Sequence, residues 1–174
     1  VMGTVVTVQV RGRATADPAV RKRVDVAMAA VVARMRDDER VFSTYRPDSD
    51  VSLLRDGLRG LDDVDPRVRE VEVLCRRLRD ETYRVFDAWW RGWFDPTGVV
   101  KGWSVDAASA ALADVLTVPG VEAAAVNAGG DMRLLRASGS DHVWNVGVAD
   151  PEDASGVLAT ISLPEGAVAT SGTA

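Results

Sequence analysis

The chain opens with Thr4-Val5-Val6-Thr7-Val8-Gln9-Val10-Arg11, a β-branched run that alternates only in part and stops at Gly12. This predicts a strand with one well-buried face. A helix is expected next, because Asp17 and Pro18 form an N-cap and first-turn pair and Val20, Val24, Met28, Val31 and Met35 recur every three or four residues to about Arg40. From Phe42 to Arg59 the periodicity is lost and Ser43, Thr44, Pro47, Asp48, Ser49 and Asp50 bring turn chemistry, so this stretch reads as a loop. Asp65-Pro66 repeats the helix-start signal ahead of an apolar face of Val68, Val71, Leu74, Cys75, Leu78 and Val85. A third helix is expected over residues 104–117, with Val105, Ala108, Leu112 and Val115 aligned. Strand-like pieces follow at Val121–Val126, Met132–Leu135, Val143–Val148, Val157–Leu163 and Ala167–Ala169. Helices early and strands late, without a regular βαβ alternation, argue an α+β fold.

Composition narrows the chemistry. The 174 residues, 47% apolar, are about one average domain with enough apolar material for a core. The net charge of −5 disfavours a purely electrostatic nucleic-acid binder. One cysteine, Cys75, and one histidine, His142, exclude an internal disulfide, a Cys/His zinc cage and any mechanism with two histidines. Cys75 reads as a buried small hydrophobe and His142 as a solvated loop residue. No apolar run approaches the roughly 20 residues that span a bilayer, and no basic leader is visible before Met2. The chain as given is therefore expected to be soluble and cytoplasmic, or exported or membrane-anchored if a leader was trimmed. No repeat or Gly/Ser linker marks a boundary, so one unit over residues 1–174 is expected.

What remains for chemistry is carboxylates, hydroxyls, backbone and the only two lysines, Lys22 and Lys101. Trp89, Trp90, Trp93, Phe94 and Trp103, interleaved with Gly92, Gly98 and Gly102, could wall a planar ligand or pack a core. The run Asp95-Pro96-Thr97-Gly98-Val99-Val100-Lys101-Gly102 reads as a glycine-containing loop before a helix beginning near Ser104. Such a loop can hold a phosphate on helix-terminal amides and a lysine, or be an ordinary loop with a surface lysine; it lacks the order of a Walker A loop. Asn127-Ala128-Gly129-Gly130-Asp131 reads as a hairpin turn with both glycines at positive φ. Thr170-Ser171-Gly172-Thr173 groups hydroxyls and amides, and is equally consistent with a polar tail. No Gly-x-Ser-x-Gly elbow and no His-Glu-x-x-His motif occurs.

Taken in order, these clusters resemble the FAD:protein FMN transferase family, also called ApbE. The matching blocks are Met2-Gly3-Thr4, Ser43-Thr44-Tyr45 with Pro47-Asp48-Ser49, Val85-Phe86-Asp87, and Asp95 through Gly102 to Asp106. Asn127 through Asp131, Trp144-Asn145-Val146-Gly147-Val148 before Pro151, and Ala169-Thr170-Ser171-Gly172 complete the series. Lys101-Gly102-Trp103 and Val85-Phe86-Asp87-Ala88-Trp89 look most like a compact bacterial branch of that family, and the arginine bias suggests an actinobacterial source. The resemblance implies an ApbE-like, T-fold-related architecture with early helices packed on a largely antiparallel sheet. It also implies an enzyme that binds FAD and Mg²⁺ and transfers FMN to a threonine or serine hydroxyl of an acceptor flavoprotein, releasing AMP. Such phosphoryl transfer rests on positioning and charge neutralisation rather than on a strong protein nucleophile.

By the same resemblance, Met2 and Tyr45 would pack on the flavin and adenine parts of FAD, and Val85, Phe86 and Asp87 would hold its adenosine side. Asp95 and Lys101 match further FAD contacts, and the carbonyl of Gly98 matches a metal-ligand position. Asp106, Asp131, Thr170 and Ser171 would shape the pocket; no residue is given a catalytic role. The family continues with a His-Ile-x-Asp-Pro-like segment and an Asp/Thr cluster that complete the Mg²⁺ site, and these residues are expected beyond Ala174 in the full protein. A degenerate form without them is the alternative. A FAD pyrophosphatase releasing FMN and AMP, and a non-catalytic FAD-binding protein, are the competing functions.

Overall fold

A computed structural model describes residues 2–150, 153 and 156–170. The architecture is α+β with antiparallel sheets, and the chain divides into two compact units. One gathers the described residues of 1–5 and 32–108; the other gathers those of 6–31 and 109–174.

The helical unit holds the C-terminal part of α1 (Pro18–Phe42), α2 (Asp50–Arg55), α3 (Pro66–Glu81) and nearly all of α4 (Thr97–Ser109). Along α1 the stripe is half-buried at Val20, Val24 and Met28 and fully buried at Val31 and Met35, as its spacing predicts. α2 lies inside the stretch expected to be a loop. It forms because the Ser49 side chain accepts from Ser52 N–H as an N-cap and because Val51 is completely buried. In α3 the Asp65 carboxylate caps Arg67 N–H, with Pro66 in the first turn where its missing donor costs nothing.

The start of α4 corrects the reading of residues 95–102 as a loop. Asp95 Oδ1 accepts from Thr97 N–H at 3.2 Å and from its hydroxyl at 2.7 Å, and Val99 and Val100 donate to Pro96 O. The helix therefore begins two turns before Ser104, with Gly98 and Gly102 inside it. Gly98 is tolerated because the Phe86 ring occupies its open side: a Cβ there would meet Phe86 Cε2 at 3.2 Å. The segment expected as one helix to residue 117 is interrupted by a 3-10 turn, Ala110–Leu112, before α5 (Ala113–Leu116). Val105, Ala108, Leu112 and Val115 are nevertheless all buried, as expected.

The core of this unit joins Val41, Phe42, Val51, Val68, Val71, Cys75, Ala88 and Val100. Trp89, Trp93, Phe94 and Trp103 pack against it, so these aromatics are core elements; only Trp90, 69% exposed, stands out of it. Inside lies a carboxylate with no solvent contact. Asp38 accepts from Arg34 Nε (3.0 Å), Arg67 Nη1 (2.7 Å) and Ser104 Oγ (2.7 Å), tying α1 to α3 and α4. Arg67 also reaches Asp37 and Asp65, each at 2.8 Å.

In the other unit β1 (Val6–Arg11), β2 (Ala123–Ala128), β3 (Asp131–Arg136) and β6 (Gly166–Val168) form an antiparallel sheet in the order β1-β2-β3-β6. β4 (Trp144–Ala149) pairs with β5 (Val157–Leu163) in a two-stranded sheet. β1 alternates as half-buried Val6, Val8 and Val10 against exposed Thr7, Gln9 and Arg11. Ala123, Ala125, Leu134, Trp144 and Val146 make a second core cluster.

Four outcomes follow from this packing. Asp38→Ala leaves Arg34 and Arg67 without their buried acceptor and is expected to cost about 3 kcal/mol, read from urea unfolding, because breaking a buried ion pair costs ~3–5 kcal/mol. Arg40→Ala, at the exposed Arg40–Asp37 pair, is expected to cost less than about 1 kcal/mol. The Arg40 hydrogen bond holds the Asp37 carboxyl below its ordinary 3.8, and the Arg67 hydrogen bond does the same for Asp65. A depressed folded-state value means stability is complete above about pH 4 and is lost as pH falls below it, which acid titration of the folded signal would show. Burial, with Glu72 nearby, pushes the Cys75 thiol up to about 12. Native protein is therefore expected to resist alkylation at pH 8 and to react once unfolded.

Candidate functional site

The helical unit carries a cavity of about 420 Å³, within the range of small-molecule sites. Its walls come from chain segments that neighbouring interactions hold in place. Glu39 is the residue after the buried Asp38 on α1, and its Oε1 accepts the Met2 N–H at 2.7 Å. That contact secures Met2 at φ 52 and Gly3 at φ 69, a left-handed pair that costs a side-chain-bearing residue some strain. Just past α1, Ser43 O accepts from Ser49 Oγ (2.5 Å) and Ser52 Oγ (3.3 Å), and Thr44 O accepts from Arg55 Nη1 (3.1 Å). The Ser43-Thr44-Tyr45 turn is thereby fixed while the Tyr45 ring stays 95% exposed. The remaining wall is the start of α4, where Thr97 and Lys101, four residues apart, share a helix face.

Met2, Tyr45, Asp95 and Lys101 therefore line one cavity, together with Glu39, Ser43, Thr44, Arg91 and Thr97. The other site residues read from the sequence in this unit lie outside that lining. Val85 is 91% exposed. Phe86 packs against the core and on Gly98. The Asp87 carboxylate accepts from Trp89 N–H at 2.9 Å and pairs with Arg79 at 3.4 Å. Asp106 is exposed on α4. Gly98, whose carbonyl was expected to face a metal, lies in the first turn of α4, and among the described residues no group of three or more His, Cys, Asp and Glu could hold a metal ion.

Asp131 and Thr170 belong to the sheet unit and flank its tightest turn. β2 and β3 are joined by Gly129 (φ 58) and Gly130 (φ 93), the two positive-φ positions of a two-residue hairpin, as expected. Asn127 Oδ1 accepts from Gly130 N–H, and Thr170 Oγ1 donates to Gly130 O at 3.1 Å. Ser171 lies outside the described residues. A second hollow of about 550 Å³ in this unit is lined by Gln9, Arg11, Asn127, His142, Trp144 and Asn145 among others. His142 is not the solvated residue its sequence context suggests: its ring stands edge-on to Trp144 at 4.7 Å and its Nε2 is buried without a hydrogen-bond partner.

Glu39 and Arg91 were not among the residues singled out from the sequence. The only available signal was weak, a charge four residues before Asp95 in the case of Arg91, and for Glu39 merely one more polar position on a helix.

Residues 91–174 match the sequence model of the ApbE family. The fold is similar to that of the ApbE protein of Thermotoga maritima, with a TM-score of 0.76 and 21% identity over 98% of this chain and 68% of that one. A mutant of the flavin transferase ApbE from Vibrio cholerae gives a TM-score of 0.69 at 18% identity, over 98% of this chain and 70% of that one. No curated protein sequence matches the chain. The resemblance read from the motifs is thus to the family whose sequence model residues 91–174 match and to whose solved structures the fold is similar.

Gly130→Ala is the substitution that tests the hairpin. Its Cβ would lie 2.9 Å from Thr170 Cβ at a φ of 93, so the variant is expected to lose about 1–3 kcal/mol and to displace Thr170, seen as a lower melting temperature and a shifted Thr170 methyl resonance.

Proposed function

We propose that this protein is a FAD:protein FMN transferase, which moves the FMN half of FAD onto a threonine or serine hydroxyl of an acceptor flavoprotein in a Mg²⁺-dependent reaction. The single observation that carries this reading is the convergence of Met2, Tyr45, Asp95 and Lys101, from three separate stretches of sequence, on one cavity. Each also falls in a motif block that resembles the family's FAD-contacting positions. The family match over residues 91–174 and the flavin transferase among the similar structures support it.

In this reading the exposed Tyr45 ring and the Met2 side chain supply apolar and aromatic surface to a planar ligand. Lys101 neutralises phosphate charge as a point cation. The acceptor hydroxyl oxygen bonds to the phosphorus of the FMN half, the P–O bond to the bridging oxygen breaks, and AMP leaves with that oxygen while the hydroxyl proton is released. Positioning and charge neutralisation are what such a step requires of the protein. The described residues do not by themselves form a Mg²⁺ site, since Gly98 offers a backbone oxygen within a helix and no carboxylate cluster accompanies it. No described helix is long and apolar enough to cross a membrane.

The full protein, incubated with FAD, Mg²⁺ and an acceptor domain, is expected to give a flavin-fluorescent acceptor band on a denaturing gel. That band should be lost with EDTA. Lys101→Ala is expected to weaken FAD binding about tenfold or more, the loss of one charge-assisted contact. Absence of the band with a competent acceptor overturns the transferase reading, and FMN and AMP released without any acceptor would identify a pyrophosphatase.

A further inference from the structure

The cavity contains a cation that neither the motif blocks nor the FAD assignment uses. Arg91 lies on its rim with its side chain about half-exposed. Its guanidinium stacks on the neighbouring Trp90 ring at 4.7 Å and stands 3.8 Å from Asp95 Oδ2. The first contact sets the group over an aromatic face, and the second holds it near a buried carboxylate at a distance too long for a hydrogen bond. Its N–H donors have no hydrogen-bond acceptor among the described residues, although the group is held in place. The two carboxylates of the same cavity are differently placed: Glu39 is engaged by Met2 N–H, and Asp95 by Thr97 N–H and its hydroxyl. One oxygen of each carboxylate is thus engaged within the protein, while the guanidinium has only the long Asp95 contact and can turn donors to a ligand.

We infer that Arg91 is a diphosphate-binding residue of this cavity, gripping the phosphates of a dinucleotide or nucleoside diphosphate with its guanidinium fork. A guanidinium offers parallel donors to two oxygens of one phosphate or to adjacent phosphates, which an ammonium cannot. Arg91 sits one helical turn's length of sequence before Asp95, and Asp95 begins the helix that bears Lys101, so a fork and a point charge face one cavity. Arg91 therefore discriminates: it strengthens binding of ligands that carry a diphosphate and contributes nothing to the flavin ring system alone. This rests on the FAD reading for the identity of the dinucleotide, but the diphosphate contact itself does not depend on transferase activity.

The test is calorimetric titration of the full protein and of its Arg91→Ala and Arg91→Lys variants with FAD, ADP and riboflavin, alongside thermal melts. Because the side chain is half-exposed and outside the core, melting temperatures are expected to stay within a few degrees of the parent. Arg91→Ala is expected to weaken FAD and ADP about tenfold, with riboflavin unchanged, and Arg91→Lys to recover only part of the loss. Raised salt should weaken FAD binding by the parent more than by Arg91→Ala. Equal loss for riboflavin, or no loss for ADP, overturns the inference, as does a parent that binds neither FAD nor ADP. Arg91-dependent binding of ADP by a parent that ignores FAD would leave the inference standing and defeat the flavin transferase reading instead.

Discussion

The buried Asp38 carboxylate is the constraint on which the helical unit depends. A charge with no solvent contact is sustained only by donors that reach it, and here they arrive from three helices: Arg34 within α1, Arg67 from α3 and Ser104 from α4. Ordinary apolar packing tolerates sliding, since one methyl contact resembles the next. A carboxylate with fixed donors does not, because a shift of an ångström leaves a charge unpaired in a low-dielectric interior. The apolar cluster around Val68, Val71, Cys75 and Val100 supplies the bulk of the attraction, and Asp38 selects the register.

The cavity inherits that register. Glu39 follows Asp38 directly, and consecutive helical residues point about 100° apart, so fixing Asp38 inward also fixes where Glu39 meets Met2. Lys101 lies three residues before Ser104 on α4, so the bond that ties Ser104 to Asp38 sets the depth at which the lysine enters the cavity. The walls are therefore positioned by a buried polar contact whose residues lie outside the cavity's lining. The Ser43–Tyr45 turn is secured separately, by the hydroxyls of Ser49 and Ser52 and by Arg55 from α2, leaving an exposed tyrosine on a rigid base.

What the sequence disclosed and what it hid divide along physical lines. Asp17-Pro18 and Asp65-Pro66 identify helix starts because capping is local chemistry, and Gly129-Gly130 identifies a hairpin because few other residues accept two positive φ values. Asp95-Pro96 is the same signal a third time, but Gly98 and Gly102 after it suggest a loop. Their low helix propensity is overridden by the Asp95 cap and by the Phe86 ring seated on Gly98. α2 is hidden for another reason: six residues are too few to show a period, and its stability comes from Val51 in the core and from Ser49. Within the site, Met2, Tyr45, Asp95 and Lys101 are legible as parts of recognisable blocks. Glu39 and Arg91 are not, because their roles come from what the fold places beside them: a backbone amide for one, an aromatic face and a carboxylate for the other.

Asp95 performs two tasks with one side chain. One oxygen starts a helix through Thr97 and the other steadies the guanidinium of Arg91. Over evolutionary time this links positions 91, 95 and 97, so that drift at any one is filtered by the other two. A lineage seeking a different ligand would find Asp95 hard to alter, since new contacts there would come with a frayed helix and a displaced lysine. Of the three positions, 91 can change at least cost, because the Arg91 side chain is half-exposed and its link to Asp95 is longer than a hydrogen bond.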